Sequence, residues 1–493
     1  MEESQEEKDD NQFFDVVIVG AGLSGIGAAR QIVTKCPGTS LCILEGRQSL
    51  GGTWDLFRYP GIRSDSDMYT MGYDSKPWPK PKTIADGPSI LDYIQEAASE
   101  KELDKLIRFD HKVNSASWNS NLNTWTLKVN HQSKILSFTT RFLYICSGYY
   151  DYDAGYRPRF ESEEAFRGKI VHPQSWPSDL DYENKTVTVI GSGATAMTLV
   201  PNLAKKSKKV YMLQRSPTYV ISLPSVDPLV KIINTLLPLK LAYSFNRWRY
   251  ITLQRYIYNQ TRTNPEKIKS KLLSLVHKNL DGYCDVSKHF TPSYNPWDQR
   301  LCLIPDGDLY KAIRKGKAEV VTEQIEKFYE KGVKLKSGET IESDIIVTAT
   351  GLNLKLLGGI ALEIDDEEVI LPKSYTYKGL MFSGIPNLVY SIGYINASWT
   401  LRSEITAEFV CRILNQMHKL KAKKVVAHIP EDCILNNNQA FIGDFTPGYI
   451  VRGAHLMAKQ GKKDPWRFNQ NYALDKKLIR NGELEDGALQ FIS

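Results

Sequence analysis

The sequence predicts an α/β fold in which the same β-α-β unit occurs twice. In the first unit the apolar run 13–19 ends at Gly20 and leads into a helix with small residues on one side. In the second unit the apolar run 186–190 leads in the same way into a helix at 194–205. A buried strand that passes through a glycine turn into a helix is typical of dinucleotide binding. The chain therefore contains two predicted Rossmann-like nucleotide-binding units.

Composition and charge exclude several classes of protein. With 493 residues, 42% of them hydrophobic, the chain is long enough for roughly two to four globular domains. The net charge is +7, but acidic and basic residues are interspersed, so no nucleic-acid surface is predicted. The seven cysteines form no C-x-x-C pair and no cluster with histidine. This spacing predicts reduced thiols, no bound metal and no disulfide-reductase chemistry.

The ends of the chain and its apolar runs bear on its location. The segment 1–12 is acidic, unlike the basic start of a signal peptide, and it predicts a disordered tail. No uncharged apolar stretch is long enough to span a membrane. We therefore expect a cytoplasmic protein.

The first half of the chain predicts these elements in order. The strand 40–44 completes the first unit and ends in Glu45. The segment 51–74 has no hydrophobic period and predicts an ordered loop. A helix is predicted at 89–105, and 112–138 predicts three short antiparallel strands. The apolar run 141–148 predicts another strand of the nucleotide-binding sheet, and a crossing between domains follows at 149–158.

The second half of the chain begins with apolar residues at helical spacing rather than with strand patterns. Helical periodicity with few strand signals predicts a helical insertion at 221–298. Its Trp, Tyr and Arg content would also suit a helix at a membrane surface, so peripheral membrane contact stays open, although ordinary helix packing is favoured. Strands return at 318–321, 334–335 and 345–348, and the second crossing follows at Ala349.

These elements predict a chain that leaves one nucleotide-binding domain, forms another and returns. Because the first unit is N-terminal and the last strands precede the second crossing, the first domain is discontinuous. The predicted boundaries are 1–12 for the tail, 13–150 and 349–493 for the first domain, 156–220 and 299–348 for the second, and 221–298 for the insertion.

The first fingerprint reads Gly20-Ala-Gly22-Leu-Ser-Gly25. Gly20 permits the tight turn, Gly22 lets a pyrophosphate approach the main chain, and Gly25 lets the helix pack closely on the strand. The helix N-terminus then faces negative charge. Glu45, at the end of the second strand, is placed to accept hydrogen bonds from ribose hydroxyls.

The second fingerprint is the G-x-G-x-x-A variant, with Gly191, Gly193 and Ala196. After its second strand the chain carries Arg215 and Ser216 where the first unit carries an acid. A carboxylate would repel the 2′-phosphate of NADP, whereas a guanidinium and a hydroxyl bind it. The second unit is therefore predicted to prefer NADPH.

Two further segments carry a resemblance to a known family. The segment 166–177 reads F-R-G-K-I-V-H-P-Q-S-W-P, and it matches the F-x-G-x-x-x-H-x-x-x-W-P signature of class B flavoprotein Baeyer–Villiger monooxygenases. The segment 51–65, called here the 51–65 loop, resembles the family's G-G-x-W-x-x-x-R-[YF]-P-G-x-x-x-D segment. The signature residues are Phe166, Gly168, His172, Trp176 and Pro177, and the loop residues expected at the cofactor are Gly52, Thr53, Trp54 and Asp65.

The resemblance implies the cofactors and the reaction. FAD would bind the first unit and NADPH the second. The enzyme would insert one atom of O2 next to a ketone carbonyl through a C4a-peroxyflavin, giving an ester or lactone, with sulfoxidation as a further activity. Small ketones or thioethers and O2 are the expected partners. The sequence leaves the oligomeric state open.

The resemblance also assigns the catalytic residues. Arg300 is the family's catalytic arginine, and Asp65 holds its guanidinium in position. Arginine suits this role because it stays protonated at every working pH. The lysine that often precedes the arginine and contacts the NADP phosphate is Gln299 here, which weakens the NADPH prediction. His172 and Trp176 would couple the domains, although His172 could also be an ordinary core histidine.

Other hypotheses remain beside this one. The segments 393–402 and 460–472 resemble the subgroup that contains the ethionamide-activating monooxygenase, and they place Asn396 and Trp399 near flavin and substrate. The alternative enzyme is a flavin-containing N- or S-monooxygenase acting on amines, thioethers or thioamides; Trp176-Pro177 and Arg300 favour the ketone reaction. A third hypothesis, a nucleotide-binding regulator, predicts no substrate-dependent NADPH consumption, and the complete set of site residues argues against it.

Overall fold

The computed structural model describes residues 12–299, 301–435 and 447–493. Within these ranges the strands are β1 (Gln12–Val19), β2 (Leu41–Leu44), β3 (Ile107–Arg108), β4 (Lys112–Asn119), β5 (Thr124–His131), β6 (Lys134–Ile145), β7 (Tyr150–Gly155), β8 (Lys169–Val171), β9 (Thr186–Ile190), β10 (Lys209–Gln214), β11 (Val220–Ile221), β12 (Cys302–Leu303), β13 (Ala318–Thr322), β14 (Ile325–Tyr329), β15 (Gly332–Leu335), β16 (Thr340–Glu342), β17 (Ile345–Thr348), β18 (Leu352–Leu354), β19 (Ala361–Ile364), β20 (Glu367–Glu368), β21 (Thr376–Tyr377), β22 (Met381–Phe382), β23 (Leu388–Tyr390), β24 (Lys424–Ala427) and β25 (Leu489–Ile492). The α-helices there are α1 (Leu23–Lys35), α2 (Thr53–Leu56), α3 (Met68–Met71), α4 (Gly87–Ser99), α5 (Ala194–Leu203), α6 (Pro228–Leu236), α7 (Leu239–Thr263), α8 (Pro265–Leu280), α9 (Val286–His289), α10 (Asp308–Arg314), α11 (Trp399–Leu420), α12 (Gly448–Gly453) and α13 (Tyr472–Asp475).

The largest sheet contains the first β-α-β unit. β1 pairs in parallel with β2 on one side and with β6 on the other, and β23 also joins β6 in parallel. β4, β5 and β6 run antiparallel, and β19 and β20 extend that edge. α1 follows β1 directly, and its small residues Gly25, Gly27, Ala28 and Ala29 are buried. The predicted strand, glycine turn and helix of this unit are confirmed.

Two predictions in this region need correction. The strand predicted at 141–148 is not separate, because β6 continues to Ile145. Exposed and buried residues mix in the first half of β6, which pairs with β5, whereas its last four residues are all buried between β1 and β23. The helix predicted at 89–105 ends at Ser99, and Glu102 soon after takes a left-handed conformation with φ of 53°.

The described part of the chain begins in β1, at the last residue of the predicted tail. Gln12 already lies in β1 and pairs with Phe138 of β6. Residues 1–11 lie outside the described residues, so the predicted tail 1–12 stays a prediction. The apolar residues that follow, Val16 to Val19, are buried, which explains why the chain joins the sheet here.

A second, fully parallel sheet contains the other unit. Its order is β13-β10-β9-β17-β8. Four residues of β9 and all four of β17 are buried, as expected when both faces of a parallel sheet are covered. α5 follows β9 directly, so the predicted repeat of the β-α-β unit is confirmed. β14, β15 and β16 form a separate antiparallel sheet.

The two chain crossings between these sheets lie side by side. β7, on the way to the second sheet, pairs antiparallel with β18, on the way back. Thr350 Oγ1 also donates to the carbonyl of Tyr156 at 2.7 Å. This pairing is what a domain inserted into another would require, and the predicted domain boundaries stay a prediction.

The predicted insertion is helical, with α6 to α9 between β11 and β12. Its longest helix, α7, is attached by Arg247 to elements that pack on the first sheet. Arg247 forms an ion pair with Glu404 of α11 and donates to the carbonyl of Gly72 at 2.7 Å. Both charged side chains are buried, so each needs the other to offset the loss of hydration. No helix in the described ranges is both long and apolar enough to cross a membrane.

Candidate active site

A cavity of about 350 Å³ opens between the first fingerprint and the 51–65 loop. Its walls come from the N-terminus of α1, from the loop around Gly52 and Trp54, from the segment 146–153 that follows β6, and from the N-terminus of α11. This volume is within the range of cofactor and ligand pockets. Glycines and aromatic side chains both line it.

The glycines of the first fingerprint stand where no side chain fits. Gly20 has φ of 103°, and a Cβ there would lie 2.7 Å from the carbonyl oxygen of Cys146. A Cβ at Gly25 would lie 1.8 Å from the carbonyl oxygen of Gly20. The strand and helix therefore approach as closely as the sequence predicts. As a result, Gly22, Leu23 and the free amides that begin α1 face the cavity.

Glu45 also lies on the cavity wall, where the sequence predicts a ribose contact. Its two carboxylate oxygens accept hydrogen bonds from the backbone amides of Ala21 at 2.7 Å and Arg47 at 3.0 Å. Burial raises the pKa of Glu45, while these amides act in the opposite direction. Each oxygen keeps a second lone pair. Glu45 thus holds the glycine turn against β2, and its predicted ribose contact stays a prediction.

The 51–65 loop continues this wall. The amide of Gly51 donates to the carbonyl of Ala21 at 3.0 Å, and a Cβ at Gly22 would lie 3.5 Å from the Cα of Gly52. The main chains at Gly22 and Gly52 therefore lie against each other, and both residues line the cavity. Arg47, which the sequence did not single out, fixes the loop by donating to the carbonyl of Gly52 at 3.1 Å. This cradle fits a flat, phosphate-bearing cofactor.

The same loop contacts both β-α-β units. Trp54 packs against the core of the first sheet, whereas Phe57 and Tyr59 are buried in the core of the second sheet. Farther along, a Cβ at Gly61 would lie 2.0 Å from Nδ2 of Asn202 in α5. The loop therefore joins the two predicted nucleotide sites.

Aromatic side chains also line the cavity. The indole of Trp399 donates to Ser24 Oγ at 2.8 Å and stacks on Tyr149, with ring centroids 5.0 Å apart. Thr53 Oγ1 and the Tyr152 hydroxyl form a 3.1 Å hydrogen bond beside them. The sequence marked 149–158 only as a crossing. In this segment tyrosines replace the periodic apolar residues, and this change of composition could have predicted Tyr149 and Tyr152 as residues of the cavity wall.

Asn396, which was predicted near the flavin together with Trp399, does not reach the cavity. Asn396 Nδ2 donates to the carbonyl of Gln470 at 2.8 Å, and the amide of Ile395 donates to Gln470 Oε1 at 2.9 Å. The two segments that carry the subgroup resemblance are therefore in contact. Asn396 does not line the cavity, whereas Trp399 does.

The second fingerprint has the shape that a ligand needs. A Cβ at Gly191 would lie 2.3 Å from the carbonyl oxygen of Ala349, whereas a Cβ at Gly193 would meet no described atom within 4 Å. Ala196 is buried against the sheet. Arg215 and Ser216 are exposed directly after β10, and Arg215 forms no ion pair with a described residue. This edge is open to an anionic ligand.

His172 connects the signature to both chain crossings. Its Nε2 donates to the carbonyl of Gly351 at 3.2 Å, and its Nδ1 accepts from the amide of Gln174 at 3.2 Å. A Cβ at Gly155 would lie 2.0 Å from its ring. Burial lowers the pKa of His172 and favours the neutral ring. These contacts support a coupling role for His172.

The other signature residues pack around the second sheet. Phe166 is buried, with its ring 6.4 Å from that of Phe328. Gly168 lies where a Cβ would come 2.3 Å from the carbonyl oxygen of Asp344. Trp176 packs edge-on against Tyr182 at 6.4 Å, and Pro177 beside it is exposed. None of these four side chains lines the cavity formed by the described residues.

The predicted catalytic pair is only partly described. Asp65 lies on the cavity wall. Arg300 lies outside the described residues, so its contact with Asp65 stays a prediction. Its neighbour Gln299 forms an isolated β-bridge with Pro296. Among the described residues no group of three His, Cys, Asp or Glu side chains is arranged to hold a metal ion.

Comparisons with known proteins agree with this geometry. The family model described as flavin-binding monooxygenase-like matches residues 13–440. The chain is 50% identical over 481 residues to the FAD-containing monooxygenase EthA of Mycobacterium tuberculosis, covering 97% of this chain and 98% of that protein. It is 47% identical over 487 residues to the FAD-containing monooxygenase MymA of the same species, covering 98% of each chain.

The fold is also found in solved structures. An oxidized steroid monooxygenase bound to NADP matches with a TM-score of 0.78 and 21% sequence identity, over 98% of this chain and 100% of that chain. This likeness bears on the fold, and the predicted α/β class is confirmed. The family model and the two relatives confirm the predicted enzyme class. The chain belongs to the flavin-binding monooxygenase-like family and is a flavin-dependent monooxygenase.

Proposed function

We propose that this chain is an FAD- and NADPH-dependent Baeyer–Villiger monooxygenase, which inserts one oxygen atom of O2 next to a ketone carbonyl to give an ester or lactone. The observation that carries the proposal is the position of Asp65. This acid lies on the wall of the cavity that also contains Gly22, Gly52 and Trp54. By the resemblance to the family, its partner cation would be Arg300.

The described residues fit FAD. Gly22 and Gly52 both line the cavity and carry no side chain, so a pyrophosphate can approach the amides of α1. Trp54 and Trp399 supply flat apolar surfaces for a ring system. The flavin, when bound, supplies the activation of O2. The chain contributes the binding surface, the orientation and the exclusion of water.

Arg300 and Asp65 would stabilise the negative charge that develops during the reaction. Insertion of oxygen next to a ketone carbonyl requires a tetrahedral adduct in which the carbonyl oxygen carries negative charge. A fixed guanidinium stabilises that charge without changing its own protonation. Asp65, held on the cavity wall, would orient the guanidinium. This division makes Arg300 the catalytic residue and Asp65 the positioning residue.

Oxidation of sulfur is the second candidate. The two segments that resemble the ethionamide-activating subgroup meet at Asn396 and Gln470, and one of them contributes Trp399 to the cavity. The other apolar side chains on the wall include Met71, Tyr149 and Ile360. Such a wall suits an uncharged substrate, ketone or thioether alike.

The decisive experiment is NADPH oxidation by the holoenzyme with a panel of ketones and matched thioethers. We expect substrate-dependent NADPH consumption that yields esters or lactones in amounts equal to the NADPH used. Product analysis separates esters, sulfoxides and hydrogen peroxide. Sulfoxides alone would support the N- or S-monooxygenase alternative. NADPH consumption that no substrate changes would contradict both enzyme hypotheses.

The preference for NADPH depends on Arg215. Replacing Arg215 by Ala should raise the KM for NADPH about ten- to a hundred-fold, because a charge-assisted hydrogen bond contributes about 1.5–3 kcal/mol. The KM for NADH should change little, since NADH has no 2′-phosphate. Arg314→Ala removes an equally exposed arginine from the end of α10 and is the matched control. Equal changes in both KM values would show that Arg215 does not contact the phosphate.

A further inference from the structure

α6 and the first half of α7 expose large apolar side chains to solvent. In α6 these are Leu229, Ile232 and Leu236, spaced three and four residues apart on one side of the helix. In α7 the spacing is repeated by Leu241, Phe245 and Trp248. Leu236 is 75% exposed, and Leu241 and Trp248 are each 61% exposed. We call these six residues the apolar face.

The apolar face cannot turn inward, because the opposite sides of both helices are fixed to the core. Val230 of α6 and Tyr243 of α7 are buried in the core of the first sheet. Asn234 Nδ2 donates to the Tyr69 hydroxyl at 3.0 Å, and Arg247 is paired with Glu404. The exposure of the apolar face is therefore a property of the folded chain. Large apolar side chains exposed in this number on two successive helices indicate an interaction site.

The charged side chains carried by α6 and α7 are all basic. Between Asp227 and Glu266 the sequence contains six lysines and arginines and no aspartate or glutamate. Lys231, Lys240 and Arg255 are exposed, and none forms an ion pair with a described residue. These two helices thus combine apolar and basic side chains, which is the composition of helices that lie on anionic membranes.

We propose that the apolar face docks the protein on an anionic lipid membrane, with α6 and α7 parallel to the surface. A second copy of the chain fits less well, because a symmetric contact through this face would bring the cations Lys231, Lys240 and Arg255 of both copies into one interface. Lipid phosphates, in contrast, neutralise these charges. The ring of Trp248, 5.8 Å from that of Phe245, suits the boundary between head groups and acyl chains.

Docking would bring the membrane close to the cavity. α7 packs on α3, and Tyr69 of α3 stacks on Tyr250 of α7 with ring centroids 5.8 Å apart. Met71, at the end of α3, lines the cavity. The apolar face and the cavity wall are therefore linked through the contact of α7 with α3. This arrangement is independent of which substrate the enzyme oxidises.

The test is co-sedimentation of the FAD-loaded protein with vesicles. Vesicles of equal parts phosphatidylcholine and phosphatidylglycerol should bind the protein, vesicles of phosphatidylcholine should bind much less, and added salt should weaken the binding. The variant Lys231→Gln/Lys240→Gln/Arg255→Gln should lower the partition coefficient about fivefold for each charge removed. The control variant Lys101→Gln/Lys128→Gln/Lys134→Gln removes as many exposed charges outside the insertion and should bind like wild type.

A second pair of variants tests the apolar contribution. Leu236→Ser/Leu241→Ser/Trp248→Ser should abolish co-sedimentation, while Leu122→Ser/Ile135→Ser/Leu420→Ser, altered at exposed positions outside the insertion, should not. Retained FAD absorbance shows that each variant is folded. Brominated lipids should quench the fluorescence of wild type, and Trp248→Phe should bind but lose most of that quenching.

Three results would overturn the proposal. The first is no binding to anionic vesicles at low salt. The second is equal weakening by the control variants, which would place the contact elsewhere on the surface. The third is an oligomer that the apolar-face variant dissolves, without any vesicle binding by wild type, which would identify a second copy as the occupant.

Discussion

Arg300→Ala is expected to retain FAD and to be reduced by NADPH at nearly the wild-type rate, while it forms oxygenated product about a hundred- to a thousand-fold more slowly. The reason is that hydride transfer occurs without the guanidinium, whereas oxygen transfer develops negative charge beside it. Removing one fixed donor from such a charge costs about 3–4 kcal/mol. Reducing equivalents that no longer reach the substrate should appear as hydrogen peroxide.

Anaerobic reduction followed in a stopped-flow instrument separates this effect from a loss of NADPH binding. Arg300→Lys keeps the charge but not the planar fork, and it should recover part of the activity. Asp65→Ala should show the Arg300→Ala behaviour more weakly, because it loosens the guanidinium without removing it. Near wild-type ester formation by Arg300→Ala would remove Arg300 from the mechanism and favour the N- or S-monooxygenase alternative.

Asp475→Ala should lower the free energy of unfolding by about 3–5 kcal/mol, since it leaves a buried guanidinium without its counter-charge. Arg402 of α11 is completely buried and forms an ion pair with Asp475, which is itself 1% exposed. The hydroxyl of Tyr394 donates to the same carboxylate at 2.6 Å, so the substitution also removes the acceptor of a buried donor. Tyr394 lines the cavity, and FAD should be released at a lower urea concentration.

Urea unfolding followed by flavin fluorescence and by circular dichroism measures both effects. The double variant Arg402→Met/Asp475→Leu should be more stable than Asp475→Ala, because it removes both charges and fills their space. Asp432→Ala breaks an exposed ion pair with Lys463 and should cost at most about 1 kcal/mol. An Asp475→Ala protein as stable as wild type would show that Arg402 is hydrated or paired elsewhere.

Local patterns were sufficient to predict the two β-α-β units. A strand, a glycine turn and a helix are encoded within about thirty consecutive residues, and the steric need for Gly20, Gly25 and Gly191 follows directly from that local geometry. The strand 141–148 was misplaced because β6 changes partners along its length, and a change of partner leaves no mark on strand propensity. The insertion was predicted as helical, but periodicity alone did not tell which side of α7 is exposed.

The candidate site could be predicted only where a motif carried it. The bond from Trp399 to Ser24 joins residues 375 positions apart, and no local pattern contains both partners. Glu45 was placed correctly at the end of β2, yet its two backbone partners depend on how the glycine turn and β2 meet. The sequence did not predict that Arg47 fixes the 51–65 loop, because Arg47 belongs to no motif. It does so through contacts with the carbonyl of Gly52 and the carboxylate of Asp55.

The loop that packs into two cores has a consequence for protein engineering. Phe57 and Tyr59 belong by sequence to the first unit but are buried with Ala196 in the second. A chimera that takes the segment 156–220 from a relative would place a foreign helix against these rings and against Gly61. The two nucleotide-binding units therefore cannot be exchanged independently of each other. A recombination that preserves function must transfer the 51–65 loop together with α5, although about 130 residues separate them in the chain.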